Sequence, residues 1–299
     1  MVLIKVPATT ANLGPGFDTL GLALNLFQEI IIEKSESNEK KILWSDEPIL
    51  EQHDNFVVTA LERALSLYEK QETGYTLTML KSDFPISRGL GSSAAAIVAG
   101  IYAANYLMDY SMSKQVMLDL ATQLEGHPDN VVPAMLGNMV IATGVEGVTH
   151  YASIDFPQNL ALHVFIPDFK LNTAYARKVL PATYTRAQCV HNISRVSFLI
   201  HAMLTENYEN LKLALSDEIH EPYRYPLIDD SDLIKDQLAT CDHLGYFISG
   251  AGPTLMALTK KGDPINLKLN TEHFKHHWKR LILDINKSGA IYEIIKEIT

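Results

Sequence analysis

The chain has 299 residues, 47% of them hydrophobic, and a formal charge of −10 at pH 7. That length fills one large domain or two of ordinary size, and the acidic balance argues against nucleic acid or an anionic membrane as partner, since both need a basic face. Two cysteines, Cys189 and Cys241, lack metal-ligand spacing and read as reduced-compartment usage.

The first residues, Met1-Val2-Leu3-Ile4-Lys5-Val6, soon turn polar and contain no signal-peptide core. Residues 2–6 read as a strand running into a loop over 7–21 that is dense in Gly, Pro and Thr; a long loop inside a compact domain is usually functional. A strand follows over 23–34, then a charged turn over 35–41. Asn55 precedes a helix over 56–65 with apolar periodicity, and residues 75–80 alternate as a strand.

Next comes Pro85-Ile86-Ser87-Arg88-Gly89-Leu90-Gly91-Ser92-Ser93-Ala94-Ala95. Its glycines permit backbone angles and close approaches that a β-carbon would block. Ser92 and Ser93 read as N-caps of the alanine-rich helix behind them. A Gly loop feeding a helix N-terminus offers free N–H groups and a partial positive charge, which suits a nucleotide phosphate. It is no Walker A loop, because the required lysine is missing. It matches the looser dinucleotide pattern Gly89-x-Gly91-x-x-Ala94 with Asp109 beyond, but Asp109 follows a helix and not a second strand. By itself the loop stands evenly between a phosphate cradle and a plain helix cap. The uncharged run over 94–108 is short of the ~20 residues of a membrane span, and reads as a buried helix in a cytoplasmic protein.

A second helix is expected over 113–124, interrupted at Glu125-Gly126-His127-Pro128-Asp129-Asn130, with strands over 138–142 and 149–154. Phe156-Pro157-Gln158 marks a boundary between domains 1–157 and 158–299. The segment over 159–166 opens a second half of different character, with longer helices over 185–204 and 206–215. Then come a helix over 230–240, a strand over 246–248, a Ser-Gly-Ala-Gly-Pro-Thr turn over 249–254 leading into the apolar residues 255–258, a short helix over 271–277, and strands over 281–285 and 291–295.

Four stretches, taken in order, resemble the motifs of the GHMP kinases, most closely the homoserine kinases. They are Pro-x-Thr-x-Ala-Asn12-Leu-Gly-x-Gly-Phe-Asp18, Pro85-x-x-x-Gly89-Leu-Gly-Ser-Ser-Ala-Ala, His127-Pro-Asp-Asn130-Val-x-Pro-Ala and Ser249-Gly-Ala-Gly-Pro-Thr254. The resemblance implies an α+β, two-domain fold with an N-terminal half like ribosomal protein S5 domain 2 and a ferredoxin-like C-terminal half. It implies ATP-dependent phosphorylation of the side-chain hydroxyl of L-homoserine, on the route to threonine, with ATP in the 85–95 loop and Asn55 against the purine by position alone. A homodimer is left open.

The same resemblance implies site residues that chemistry supports. L-Homoserine is a zwitterion, so Asp18 with Asn12 would take its ammonium, and Arg177 and Arg224 would fork onto its carboxylate. Glu125 would hold Mg2+ with Ser92, since Mg2+ favours a carboxylate plus phosphate oxygens; in several relatives a longer insertion separates this glutamate from the Asp-Asn pair, whereas here Glu125 and Asn130 are only five apart. Sister kinases place a basic aspartate near Asp129 and Asn130. Homoserine kinases put an asparagine there, which phosphoryl transfer tolerates because positioning and charge neutralisation dominate it. The rivals are another small-molecule GHMP kinase, such as mevalonate or diphosphocytidyl-methylerythritol kinase, and a non-catalytic sensor of the same fold. Mevalonate has no ammonium to match Asp18.

Overall fold

The computed structural model describes residues 1–45, 55–80, 82–262 and 270–295. The chain begins with β1 (Val2–Ala11) and β2 (Leu20–Lys34), joined by a tight loop, then β3 (Lys40–Trp44), α1 (Phe56–Leu67) and β4 (Tyr75–Met79). Helices α2 (Ser92–Leu107), α3 (Lys114–Glu125) and α4 (Pro128–Leu136) follow, with the hairpin of β5 (Met139–Val145) and β6 (Val148–Ile154) behind them. The second half contains β7 (Leu160–Pro167), α5 (Thr173–Lys178), α6 (Arg186–Thr205), α7 (Leu211–Ala214), α8 (Glu221–Arg224) and α9 (Ser231–Ala239). It ends with β8 (Gly245–Ile248), β9 (Leu255–Lys260), β10 (Trp278–Leu283) and β11 (Ile291–Ile294).

Two sheets result. The first has seven strands along the path β11-β1-β2-β4-β3, with the β5–β6 hairpin paired to the early part of β2. The second has four, in the antiparallel order β10-β7-β9-β8. The last strand of the first run, β6, ends just before Phe156-Pro157-Gln158, and β7 opens the second sheet. Residues 158–299 are not a self-contained unit, however, because β11 crosses back and pairs antiparallel with β1, Val2 facing Ile294.

Helix α2 is the pillar of the N-terminal half. It packs on α1, α3, α4 and β1, and its apolar residues from Ala94 to Leu107 are nearly all buried. Gly100 lets α1 come close: a Cβ there would lie 2.1 Å from Val57 O. A smaller core joins Phe165, Leu255 and Trp278 of the second sheet to Ile234 and Leu238 of α9. Among the described residues no helix is long and apolar enough to cross a membrane.

Several expectations move. Strand β1 runs on through Pro7–Ala11, so the tight loop starts at Asn12; the buried backbone there finds partners in β2 across a bulge at Pro7/Ala8. The charged stretch expected to turn at 35–41 partly forms β3, an exposed strand pairing parallel with β4. Of the helix expected over 206–215, only Leu211–Ala214 coils. Residues 271–277 form turns and no helix, with β10 beginning at Trp278.

Candidate active site

Gly91 is itself the cap of α2. It sits at φ +69° with no side-chain capping bond, so Ser92 and Ser93 fall inside the first helical turn and are not caps. Only glycine fits: a Cβ on Gly91 would lie 2.0 Å from Thr9 Oγ1, and one on Gly89 (φ +78°) 2.4 Å from Ser249 O. The first N–H groups of α2 have no partner within the helix, and the loop delivers them to one place.

Three loops converge on that place. Thr9 N donates to Leu90 O at 3.1 Å, and Gly250 N to Ala11 O at 3.1 Å. Ser249 Oγ is hydrogen-bonded to both Thr10 Oγ1 and Gly89 O. Asn12 Nδ2 donates to Gly250 O at 2.8 Å, while its Oδ1 accepts from Asp18 N at 3.0 Å. Asn12 therefore braces the tight loop from inside, with φ +71°. The 249–254 loop packs beside the first loop and is bonded to the Gly89–Gly91 turn.

At the other side of α2 lies the start of α4. Pro128 occupies the first turn after the cap His127, a position where its missing N–H does no harm. Asp129, 2% exposed, is hydrogen-bonded to His127 Nδ1. Burial works against charge on His127, but Asp129, with Glu125 and Asp18 adding to it, outweighs that and raises the imidazole above its ordinary value. Asn130 Oδ1 accepts from Thr9 Oγ1 at 2.8 Å, directly behind Gly91. Glu125, at the end of α3, accepts from Ser93 Oγ at 2.8 Å. Burial raises its carboxyl above the usual range, and Ser93 and His127 only partly offset this.

The charged groups of the tight loop meet α5 and α8. Arg177 Nη1 and Nη2 donate to Asp18 Oδ2 and Oδ1, both at 2.8 Å. Both guanidiniums, of Arg177 and Arg224, lie over the Phe17 ring, at 5.5 and 5.2 Å from its centroid. Arg224 is 2% exposed and donates from Nε to Ala176 O at 3.3 Å and from Nη1 to Gly250 O at 3.0 Å and His220 Nδ1 at 3.1 Å. Burial, together with the Arg177 charge, pulls its guanidinium down to about 10, leaving it charged at neutral pH. His220 Nε2 donates to Gly14 O at 2.9 Å, which fixes the tautomer that can accept from Arg224; burial lowers its pKa to about 4, so the ring is neutral. Asp217 caps this turn, accepting from the backbone N of Ile219, His220 and Glu221.

The structure thus brings Asn12, Asp18, Arg177, Arg224, Asp129, Asn130, Glu125 and the Gly loop together, but reassigns several of them. Asp18 and Arg177, expected to face the two charges of a ligand, face one another. Arg88, expected on phosphate, turns away. Its Nε, Nη2 and Nη1 donate to Pro167 O at 3.0 Å, Asp168 O at 2.6 Å and Ile86 O at 3.2 Å, so it ties the loop to the end of β7. Leu90, Ala94 and Ala95 have buried side chains, so only their backbones can reach a ligand, whereas Pro85 and Ile86 form the exposed rim and Ser87 is half-buried. Ser92 was expected beside Glu125, yet its Oγ accepts from Ser87 N at 3.3 Å. Successive helix residues point about 100° apart, and Ser93 is the one that faces α3. Asn55 uses its side-chain oxygen to cap α1, accepting from Val57 N at 3.0 Å. Thr9, Thr10, Phe17 and Ser249 lay within the motifs without a role assigned to them; Asp217 and His220 carried no signal of their own.

A glycine-lined loop on a helix start, flanked by the Glu125 carboxylate and the Asp18–Arg177 ion pair, is an arrangement suited to phosphoryl transfer to a small molecule, and the chain belongs to the GHMP kinases. Residues 55–138 match the GHMP kinases N terminal domain and residues 199–272 the GHMP kinases C terminal domain. Within that class it falls in the homoserine kinase family. It is 40% identical over 294 residues to the homoserine kinase of Clostridium kluyveri, covering 97% of each chain. It is 38% identical to that of Caldicellulosiruptor saccharolyticus, covering 97% of this chain and 96% of the relative. The crystal structure of homoserine kinase from Cytophaga hutchinsonii superposes with a TM-score of 0.87 at 28% identity, over 98% of this chain and 97% of that one. A crystal structure of mevalonate kinase reaches a TM-score of 0.73 at 14% identity, which is a likeness of fold alone.

Proposed function

We propose that the chain transfers the terminal phosphoryl group of ATP to the side-chain hydroxyl of L-homoserine, giving O-phospho-L-homoserine for threonine biosynthesis in the cytoplasm. The observation that carries this reading is the placement of one acid and two arginines, Asp18, Arg177 and Arg224, beside the Gly loop. A hydroxylated amino acid needs both signs of charge; mevalonate needs only one.

In this reading the first-turn N–H groups of α2 bind phosphate oxygens, and Gly89 and Gly91 keep side chains out of the crowded loop contacts. Glu125 and the Ser93 hydroxyl offer the hard oxygen donors that Mg2+ prefers, and its remaining positions suit phosphate and water. Among the described residues no cluster of three or more His, Cys, Asp or Glu is placed to hold a metal, which fits an ion that depends on its nucleotide. When bound, Mg2+ would neutralise phosphate charge. Asp129 is hydrogen-bonded to His127, and this reading assigns no side chain as an obligatory acceptor of the hydroxyl proton. Asn130, fixed by Thr9, positions the reacting groups, as suits a loose transition state governed by geometry. A purine contact by Asn55 would have to use its Nδ2 group. The test is a coupled ADP-release assay across L-homoserine, mevalonate and galactose: turnover should respond strongly to L-homoserine alone, and an equal or stronger response to mevalonate refutes the assignment.

A further inference from the structure

The Asp18–Arg177 pair spans the site that the reading above gives to an amino acid, and this inference rests on that reading. The pair is bidentate, 2.8 Å at both oxygens, yet its side chains are 32% and 43% exposed. It joins the tight β1–β2 loop to the last turn of α5, so it links the two halves of the molecule by side chains alone. The two members differ from Arg224, which backbone carbonyls fix in place. Asp18 is anchored at its backbone by Asn12, but among the described residues its carboxylate is hydrogen-bonded by Arg177 alone, and the Arg177 guanidinium is hydrogen-bonded to Asp18 alone and lies over the face of Phe17.

We propose that this ion pair is a latch over the amino-acid site, exchanged as a unit by a ligand with both an ammonium and a carboxylate, and that the exchange selects zwitterions against singly charged alcohols. A zwitterion replaces one ion pair by two: its ammonium takes Asp18 and its carboxylate takes Arg177. A ligand with a carboxylate alone must break the pair and leave Asp18 without a partner, and one with an amine alone strands Arg177. Stranding a partly desolvated charge is a penalty against the wrong ligand, which is how specificity is commonly built.

The test uses two analogues of L-homoserine that lack one charge each, γ-hydroxybutyrate and aminopropanol. Their binding is measured by calorimetry to the wild type, Asp18→Asn, Arg177→Met and the double variant, with folding checked by circular dichroism. The latch predicts that removing one member frees the other. Asp18→Asn should bind γ-hydroxybutyrate about two- to fivefold tighter than wild type, the range expected from the strength of a half-exposed ion pair. Arg177→Met should bind aminopropanol tighter by a similar factor, while both variants lose affinity for L-homoserine. In the double variant neither gain should remain. Unchanged or weaker analogue binding in the single variants overturns the latch, and so does a gain for γ-hydroxybutyrate that survives in the double variant, since that would be plain repulsion by Asp18. Wild type that fails to bind L-homoserine overturns the functional reading together with the latch; wild type that binds it, without the gains, overturns the latch alone.

Discussion

Gly91→Ala is the sharpest perturbation of the 85–95 loop. Gly91 sits at φ +69°, and an added Cβ would lie 2.0 Å from Thr9 Oγ1, 3.2 Å from Thr9 Cβ and 3.1 Å from Asn130 Oδ1. A β-carbon in the left-handed region costs roughly 1–2 kcal/mol. Thr9 is fully buried, so its hydroxyl must rotate and give up the bond to Asn130, worth about 1 kcal/mol. Together these make a loss of about 2–3 kcal/mol. The control is Gly147→Ala in the β5–β6 turn, at φ +81° with nothing within 4 Å of its Cβ, which should show the backbone cost alone. Melting temperatures of both variants and the wild type separate the clash from the conformational term. Because Asn130 is displaced, kcat of Gly91→Ala should also fall by about ten- to a hundredfold, as for an ångström-scale misplacement in an active site. A melting shift no larger than that of Gly147→Ala, with kcat unchanged, would refute the reasoning. The substitution acts through Thr9 and Asn130; it does not place a side chain where phosphates approach.

Asp129→Asn should lower kcat by less than about tenfold, below most of the range for loss of a general base; a thousandfold loss in a folded variant would make Asp129 the base. Because the folded pKa of His127 is raised, its pairing with Asp129 adds stability that is full below the unfolded value near 6.5 and lost as pH rises through the folded value. The margin of wild type over Asp129→Asn should therefore shrink above about pH 6.5 in melting measurements. Arg224→Met should destabilise by about 3–5 kcal/mol, since it strips buried carbonyls and His220 of a charged donor, whereas Arg177→Met should change stability by about 1 kcal/mol or less and act on ligand binding. Ser93→Ala removes the bond that holds Glu125 down, so the acid limb of the pH–rate profile should move to higher pH and the requirement for Mg2+ should rise; Ser92→Ala should leave that limb in place.

The sequence reading of the fold succeeded where side chains announced their surroundings. Residues 94–107 could be read as a buried helix because they carry no charge and are apolar apart from Asn105 and two tyrosines, and α2 is that helix. The reading failed where structure depends on partners: β3 is mostly exposed and opens on two lysines, and only pairing with β4 makes it a strand. Helices α5 and α8, of six and four residues, are too short for a periodicity to register. At the site, glycines and serines marked the loop, but which serine faces Glu125 is a matter of helical phase set by Gly91 as the cap. Arg177 and Arg224 have the same chemistry on paper. One is a buried strut and the other a free-standing partner of Asp18, a difference made by α8 and its Asp217–His220 turn.

The pairing of β11 with β1 has a consequence for how the molecule is made. On the ribosome, β1 meets β2 within a few dozen residues, but its outer edge stays bare until Ile291–Ile294 emerges. An unpaired edge invites association with other chains, and Lys5, which pairs with Glu29 and Glu293 in the finished sheet, places a charge on that edge in the meantime. Lesions in the final strand should therefore be felt first as poor yield of soluble protein, before any defect of turnover in the molecules that complete the sheet.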